Sequence, residues 1–486
     1  MGTMDRRRFL QAAAALGGGA LAGGPLQTML AGAVGAAPPD RFRVLGPVPD
    51  LRDGAVRLHL PPNFQYRSFH DTEFPVVLHD GTALPGRHDG MAAFNAPGGN
   101  IWLVRNHEVN GPVAAFGPGA PYDTMTGGGT TTSLVTPFGE VLDSFTSLNG
   151  TQMNCSGGRM PWGSWITCEE TINGPDVGPD FTGASNISLT KQHGYIFEVP
   201  AGGQSNRQPI TNAGRFAHEA AAYSEADRAL YLTEDNFGFP SHLYRYIPRQ
   251  DPMRVGGLDN EGRLQALAVD GSPQLHLEGT QVAGATYPVV WVDIAEPDHS
   301  FPFTPGQTAP TTNNDAINWV GNQARVLGAA HFSRLEGAVA VGAKINFSAT
   351  QGGGAVETGP DTVGGYGNGS GQLWAYDVRR STLTCRFQSP GPAVLDLPDN
   401  LTARNERGAV VLCEDNVNDN FVRGLTRDGQ LFDIALNRLV SSTGANRFND
   451  EFAGATFGRE ETLFVNIQAS RGMTFAIWGP WGRIGV

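Results

Sequence analysis

Short apolar runs recur along the chain between clusters of Gly, Pro, Asn and Asp. Examples are Asn100-Ile101-Trp102-Leu103-Val104, Gly194-Tyr195-Ile196-Phe197-Glu198-Val199, Ser241-His242-Leu243-Tyr244-Arg245-Tyr246 and Gly371-Gln372-Leu373-Trp374-Ala375-Tyr376. Runs of this length bounded by turn formers read as β-strands. Beyond the N-terminal region no long helical periodicity stands out, so the pattern predicts an all-β chain.

The runs repeat as a unit. A polar or acidic turn leads into a strand of small residues, a tight turn follows, and an apolar strand then ends in a polar or acidic residue. Copies run from His88-Asp89-Gly90 to Asn106-His107-Glu108, from Asn154 to Glu170, and from Phe216-Ala217-His218-Glu219 to Glu234-Asp235-Asn236. Three more run from Phe332 to Phe347, from Leu397-Pro398-Asp399-Asn400 to Cys413-Glu414-Asp415-Asn416, and from Asp450 to Gln468. Anchors at His88, Asn154, Glu219, Glu336, Asp399 and Glu451 are 66, 65, 117, 63 and 52 residues apart. The long interval holds an insertion over residues 250–325, rich in Gly, Pro and Asn.

Self-similarity of this kind predicts a six-bladed β-propeller with long loop insertions. Ring closure would pair Phe64-Gln65-Tyr66-Arg67-Ser68 with Met473-Thr474-Phe475-Ala476-Ile477-Trp478. A two-domain β-sandwich protein is the competing architecture. In a propeller the inner strands converge on one axis. Polar or acidic strand ends would there form a ring of carboxylates whose repulsion cations relieve, which points to a polymetal site.

Composition and charge narrow the function classes. The 486 residues include 65 Gly, only 17% are charged, and the formal net charge is −13. That balance disfavours a nucleic-acid binder and suits metal cations. Asp5-Arg6-Arg7-Arg8-Phe9-Leu10-Gln11 resembles a twin-arginine export motif, with Asp where Ser or Thr is usual. An Ala/Gly-rich stretch and an A-x-A-like site at Val34-Gly35-Ala36 follow. Residues 1–36 are therefore expected to be a removable signal read by the twin-arginine translocation machinery. Residues 37–486 are expected to form a single, monomeric propeller domain without a stable membrane anchor, periplasmic or secreted. The cysteines are Cys155, Cys168, Cys385 and Cys413, too few for a disulfide framework.

Several clusters carry chemistry. The short strand Trp165-Ile166-Thr167 ends in Cys168-Glu169-Glu170, and soft sulfur beside hard oxygen suits a metal such as iron or zinc. The plain alternative is a buried thiol and a solvated turn. Glu234-Asp235 and Glu414-Asp415 end equivalent strands in nearly the same words. Paired carboxylates suit calcium, with an Asx-type turn as the alternative. Glu219 follows His218 among small apolar residues, where a lone carboxylate needs a partner. Arg334-Leu335-Glu336 puts a guanidinium and a carboxylate on one face of an extended chain. The pair reads either as a salt bridge or as a metal ligand beside a fork for phosphate oxygens. Zinc-finger spacing, His-Glu-x-x-His, a Walker loop and a Gly-x-Ser-x-Gly elbow are absent.

With these motifs the chain resembles the PhoX-type alkaline phosphatases and their shorter relatives. The resemblance is carried by the twin-arginine start, Asn154-Cys155 through Cys168-Glu169-Glu170, and Gly214-Arg215-Phe216-Ala217-His218-Glu219. Arg334-x-Glu336 and Glu451-Phe452-Ala453-Gly454 through Asn466-Ile467-Gln468 complete it. It implies a six-bladed propeller that holds Fe(III) and Ca(2+) and hydrolyses phosphate monoesters outside the cytoplasm. By motif match Cys168 would be the thiolate ligand of iron, and Glu219 and Glu336 carboxylate ligands. Asp235 would serve near calcium, Glu169 and Glu414 would be further ligands, and Arg334 would hold the phosphate. The chain departs in being shorter, and in having Leu335 where the family typically has Pro. The alternatives are a calcium-dependent propeller hydrolase of lactones or phosphodiesters, and a non-catalytic exported propeller.

Overall fold

The computed structural model describes residues 42–459 and 461–486. The expected signal segment, residues 1–36, lies outside them. Six strands open the repeats: His88–Asn95, Asn154–Arg159, His218–Ser224, Leu335–Val341, Pro398–Ala403 and Glu451–Gly458. Each pairs antiparallel with the strand that follows it, namely Ile101–His107, Ser164–Glu169, Ala229–Glu234, Lys344–Ala349, Val410–Glu414 and Thr462–Gln468. Each of these hairpins coincides with one copy of the sequence unit.

Among the described residues the strands form five sheets. A four-stranded meander runs outward from His88–Asn95 to Val141–Thr151, and a three-stranded one from Asn154–Arg159 to Ile196–Pro200. A nine-stranded sheet contains two meanders, begun by His218–Ser224 and Leu335–Val341, joined at their outer edges where Thr286–Asp293 pairs with Thr382–Gln388. The 250–325 insertion supplies that junction through Arg263–Val269 and Thr286–Asp293, then adds the short helices Asn313–Ile317 and Trp319–Val326. A six-stranded sheet starts at Pro398–Ala403 and ends with Gly46–Pro49 and Val56–Leu60. The last sheet starts at Glu451–Gly458 and is completed by Gln65–Phe69, which pairs with Met473–Trp478 as the sequence suggested, Tyr66 opposite Ile477.

The six opening strands lie side by side in chain order, and the last packs on the first. The molecule is therefore all-β and propeller-like, with few helices. Close approach explains the small residues of these strands. A Cβ on Gly158 would fall 1.8 Å from Ala221 O, and one on Gly337 2.5 Å from Leu401 N. Apolar clusters fill the spaces between sheets. One such cluster contains Ile166, Cys168, Ile196, Phe216, Leu230 and Tyr244. Among the described residues no helix is long and apolar enough to cross a membrane.

Candidate metal centre

Every opening strand carries a register shift near its start. The shifts fall between His88 and Met91, Asn154 and Gly157, His218 and Ala221, Leu335 and Ala338, Pro398 and Leu401, and Ala453 and Thr456. A bulge of this kind bends the strand and re-aims a side chain. The first residue of each shifted stretch is Asp89, Cys155, Glu219, Glu336, Asp399 and, in the last strand, Gly454. Five copies of one backbone device thus present a carboxylate or a thiol to the same region. Ligand atoms of Cys155, Glu170 and Glu219 lie within 4.8 Å of one another, and so do those of Glu219, Glu336 and Asp399. Glu219 is common to both groups.

The electrostatics are dominated by carboxylates that raise one another, with Arg334 and Arg87 as the cations nearby. Burial, with the charges of Glu336 and Glu170, pushes the Glu219 carboxyl well above the usual range. Burial also raises Asp399, reinforced by Asp89 and Asp415. Asp89 is raised by burial, Arg87 opposing and Glu170 adding. The Cys155 thiol is pushed up by burial and by the Glu219 and Glu170 charges. Such a set cannot all ionise at once unless cations share the space. Its chemistry fits that role, with clustered carboxylates for hard cations and one sulfur at the edge for a softer ion.

The acidic ends of the second strands divide by one residue. Glu169, Glu234 and Glu414 lie opposite Asn154, His218 and Pro398, and each is spent within its own sheet. Glu169 accepts from Gln152 N at 2.9 Å, His193 Nδ1 at 2.6 Å, Gly194 N at 2.9 Å and Tyr195 N at 3.1 Å. Glu234 accepts from His242 N at 3.0 Å and the Tyr244 hydroxyl at 3.1 Å. Glu414 accepts from Arg423 Nε at 2.8 Å and Asp396 N at 3.1 Å. Both oxygens of Glu169, expected as a ligand, are thus engaged away from the acidic cluster, whereas Glu414, also expected as a ligand, takes both of these bonds on Oε1. The following residue faces the other way, since side chains alternate along extended chain. Glu170 N donates to Met153 O at 2.9 Å, Asp235 N to Ala217 O at 3.1 Å and Asp415 N to Leu397 O at 3.0 Å. That places Glu170, Asp235 and Asp415 in one equivalent position above the bulge residues.

Cys168 is not brought to the cluster either. It sits opposite Ile196 and packs with Ile166, Ile196 and Phe216, and burial pushes its thiol far up. Ile166 and Cys168 share a face of their strand, so Cys168 belongs to the core and Cys155 is the thiol at the acidic cluster. Asp235 is placed beside Arg334. Arg334 Nε donates to Asp235 Oδ1 at 3.0 Å and NH2 to Oδ2 at 2.7 Å, with a further bond from NH2 to Glu336 Oε1 at 3.1 Å. Leu335 is fully buried in the core, while Arg334 and Glu336 meet each other through the NH2–Oε1 bond.

Sequence reasoning passed over Asp89, Cys155, Glu170, Asp399 and Arg87. The signal was available. Asp89, Cys155, Glu219, Glu336 and Asp399 each follow the opening residue of a repeat and precede Gly90, Ser156, Ala220, Gly337 and Asn400.

Glu169 supports a testable statement about the scaffold. Burial alone would keep His193 neutral, but Glu169 and Asp123, the latter 3.7 Å away, raise it to about 9. Glu169→Gln is expected to cost about 3–5 kcal/mol in denaturant unfolding, because a buried charge loses its partner. In the parent protein the raised imidazole contributes stability in full below about pH 6.5. That contribution fades as pH rises through about 9. An unfolding free energy unchanged by the substitution would count against this pairing.

The model of the family described as "Alkaline phosphatase PhoX" matches residues 124–470. The chain belongs to the PhoX alkaline phosphatase family. Membership makes it a phosphatase, in a family of exported enzymes with metal-dependent catalysis. Among solved structures, "Pseudomonas fluorescens PhoX in complex with vanadate, a transition state analogue" matches with a TM-score of 0.63 at 15% identity, over 90% of this chain and 97% of that one. At this identity the likeness speaks for a shared PhoX fold. The soluble aldose sugar dehydrogenase of Escherichia coli in its apo-form matches at a TM-score of 0.25 and 11% identity over 79% of each chain, too loosely to bear on the site. No curated protein matches this sequence significantly.

Proposed function

We propose that this PhoX-family protein hydrolyses phosphate monoesters at an iron(III) and calcium centre held at the axis of a six-bladed propeller. One observation carries the reading: the repeated bulge gathers Asp89, Cys155, Glu219, Glu336 and Asp399 in one buried place beside a clamped arginine. Cys155 would hold the iron, with Glu170 and Glu219 beside it. Glu219, Glu336, Asp399 and Asp89 would share the remaining ions. When bound, these ions supply positive charge that neutralises phosphoryl oxygens in the ground and transition states.

The chain's own residues do the positioning. Arg334 would meet phosphate oxygens from a guanidinium held in place by Asp235, Glu336 and Gln351. Glu336 braces the same guanidinium at 3.1 Å and so links the fork to the ligand cluster. Cys155 is what disfavours a calcium-only hydrolase, which has no use for a thiol among its ligands. The reading includes twin-arginine export of a single folded domain to the periplasm or beyond.

Protein exported from a native host should contain both iron and calcium and turn over p-nitrophenyl phosphate. A fully metallated preparation that hydrolyses no phosphoester would sink the proposal.

A further inference from the structure

Two arginines occupy one position of the repeat. Arg87 and Arg334 each stand two residues before a bulge carboxylate, Asp89 and Glu336. Both take left-handed backbone conformations, with φ of 49° and 34°. Non-glycine residues enter this region sparingly, most often at functional sites. Met153 and Leu397 hold the corresponding place in two other copies, each with φ of 50°. Their carbonyls receive the same bond as those of the arginines. Glu108 N donates to Arg87 O at 3.1 Å, Thr350 N to Arg334 O at 3.0 Å and Glu170 N to Met153 O at 2.9 Å. The left-handed turn is thus shared by four of the six copies, while a guanidinium appears in two of them.

Both guanidiniums are held by a strand-end acid, Arg334 by Asp235 of the preceding repeat and Arg87 by Glu108 of its own. Arg87 Nε donates to Glu108 O at 2.7 Å while NH2 bonds the carboxylate. Glu108 and Asp235 themselves hold the equivalent strand-end position. Because the opening strands follow one another in a closed ring, the first and the fourth lie across it. Arg87 and Arg334 therefore stand immediately before opening strands that face each other across the ring. A cation beside a cation-collecting ring works against that ring. Such a placement becomes favourable when an anion sits between the guanidinium and the ions.

We infer that Arg87 is a second phosphate-orienting arginine, which meets the phosphoryl group from the side opposite Arg334 and favours monoesters over diesters. A monoester offers three unesterified oxygens to divide between two forks and the cations, and a diester offers two. The inference rests on the phosphatase reading above.

The test uses metallated, exported full-length protein and three readouts: metal content, inhibition by inorganic phosphate, and the ratio of kcat/KM for p-nitrophenyl phosphate over bis(p-nitrophenyl) phosphate. Arg87→Ala should keep its metals, weaken phosphate inhibition by about 10- to 100-fold and lower the monoester preference by about 10-fold. Arg87→Lys keeps the charge without the fork and should fall between the two. It also serves as the test if the alanine variant does not fold. Unchanged phosphate inhibition and unchanged monoester preference in either variant would assign Arg87 to the scaffold and overturn the inference, whatever happens to metal content or stability. A metallated parent protein without phosphoester turnover would instead remove the functional reading, and this inference with it.

Discussion

Replacing Cys155 with alanine is expected to remove the softer metal ion and cut phosphatase turnover by at least about 100-fold, whereas Cys168→Ala should spare both. The magnitude follows from what lesser changes do. Removing a partner that only orients a metal ligand typically costs 10- to 100-fold, so removing the ligand itself should cost no less. Cys155 lies at the first bulge position of its strand, with ligand atoms of Glu170 and Glu219 within 4.8 Å. Cys168 has Ile166, Ile196 and Phe216 around it and behaves as a small hydrophobe. Its truncation should cost about 1 kcal/mol of stability, the transfer value of one buried methylene-sized group. Elemental analysis, turnover and the visible absorption of a thiolate–iron bond separate the two variants. Iron retained in Cys155→Ala and lost in Cys168→Ala would reverse the assignment.

The second large effect concerns the metal-free protein. Stripped by a chelator, it should lose stability steadily as pH rises above about 4, and added cations should restore it most at alkaline pH. Asp89, Glu219 and Asp399 all have carboxyls raised by burial and by neighbouring carboxylates, Glu170 in the case of Asp89. In the unfolded chain such groups lose their protons near pH 4. Above that value the folded state holds more protons than the unfolded state, so stability falls with pH until the raised groups ionise. The slope is up to about 1.4 kcal/mol per pH unit for each group. Bound cations take the protons' place and stabilise by mass action. Melting curves from pH 5 to 9, with and without chelator, measure the effect. The His193 contribution is common to both preparations, so the difference between them isolates the ring. A chelated protein whose melting temperature is flat or climbs over that range would contradict the account.

The architecture was legible because its signals are local and repeated. The hairpins at His88, Asn154, His218, Leu335, Pro398 and Glu451 all coincide with sequence copies, and the pairing of Gln65–Phe69 with Met473–Trp478 could be anticipated. The site was legible only in outline. Glu219, Glu336 and Arg334 each sit in an unusual local context in the sequence, and the structure brings them together. Glu169 and Glu414 were chosen over Glu170 and Asp415 because a doublet of acids does not say which member faces the axis. A shift of one residue reverses the face. Cys168 drew attention as the thiol next to two acids, yet the sulfur that meets Glu170 is Cys155, thirteen residues earlier across a hairpin.

The seam of the ring sets a schedule for the enzyme's maturation. The strands bearing Asp89 and Gly454 are nearest neighbours in space, yet of the six they are the furthest apart along the chain. Long-range pairings of this kind form late. On a ribosome the ligands from Asp89 to Asp399 emerge well before Glu451–Gly458 and Met473–Trp478 can close the circle. A chain halted short of Met473 would carry every proposed ligand and still lack the ring that assembles them.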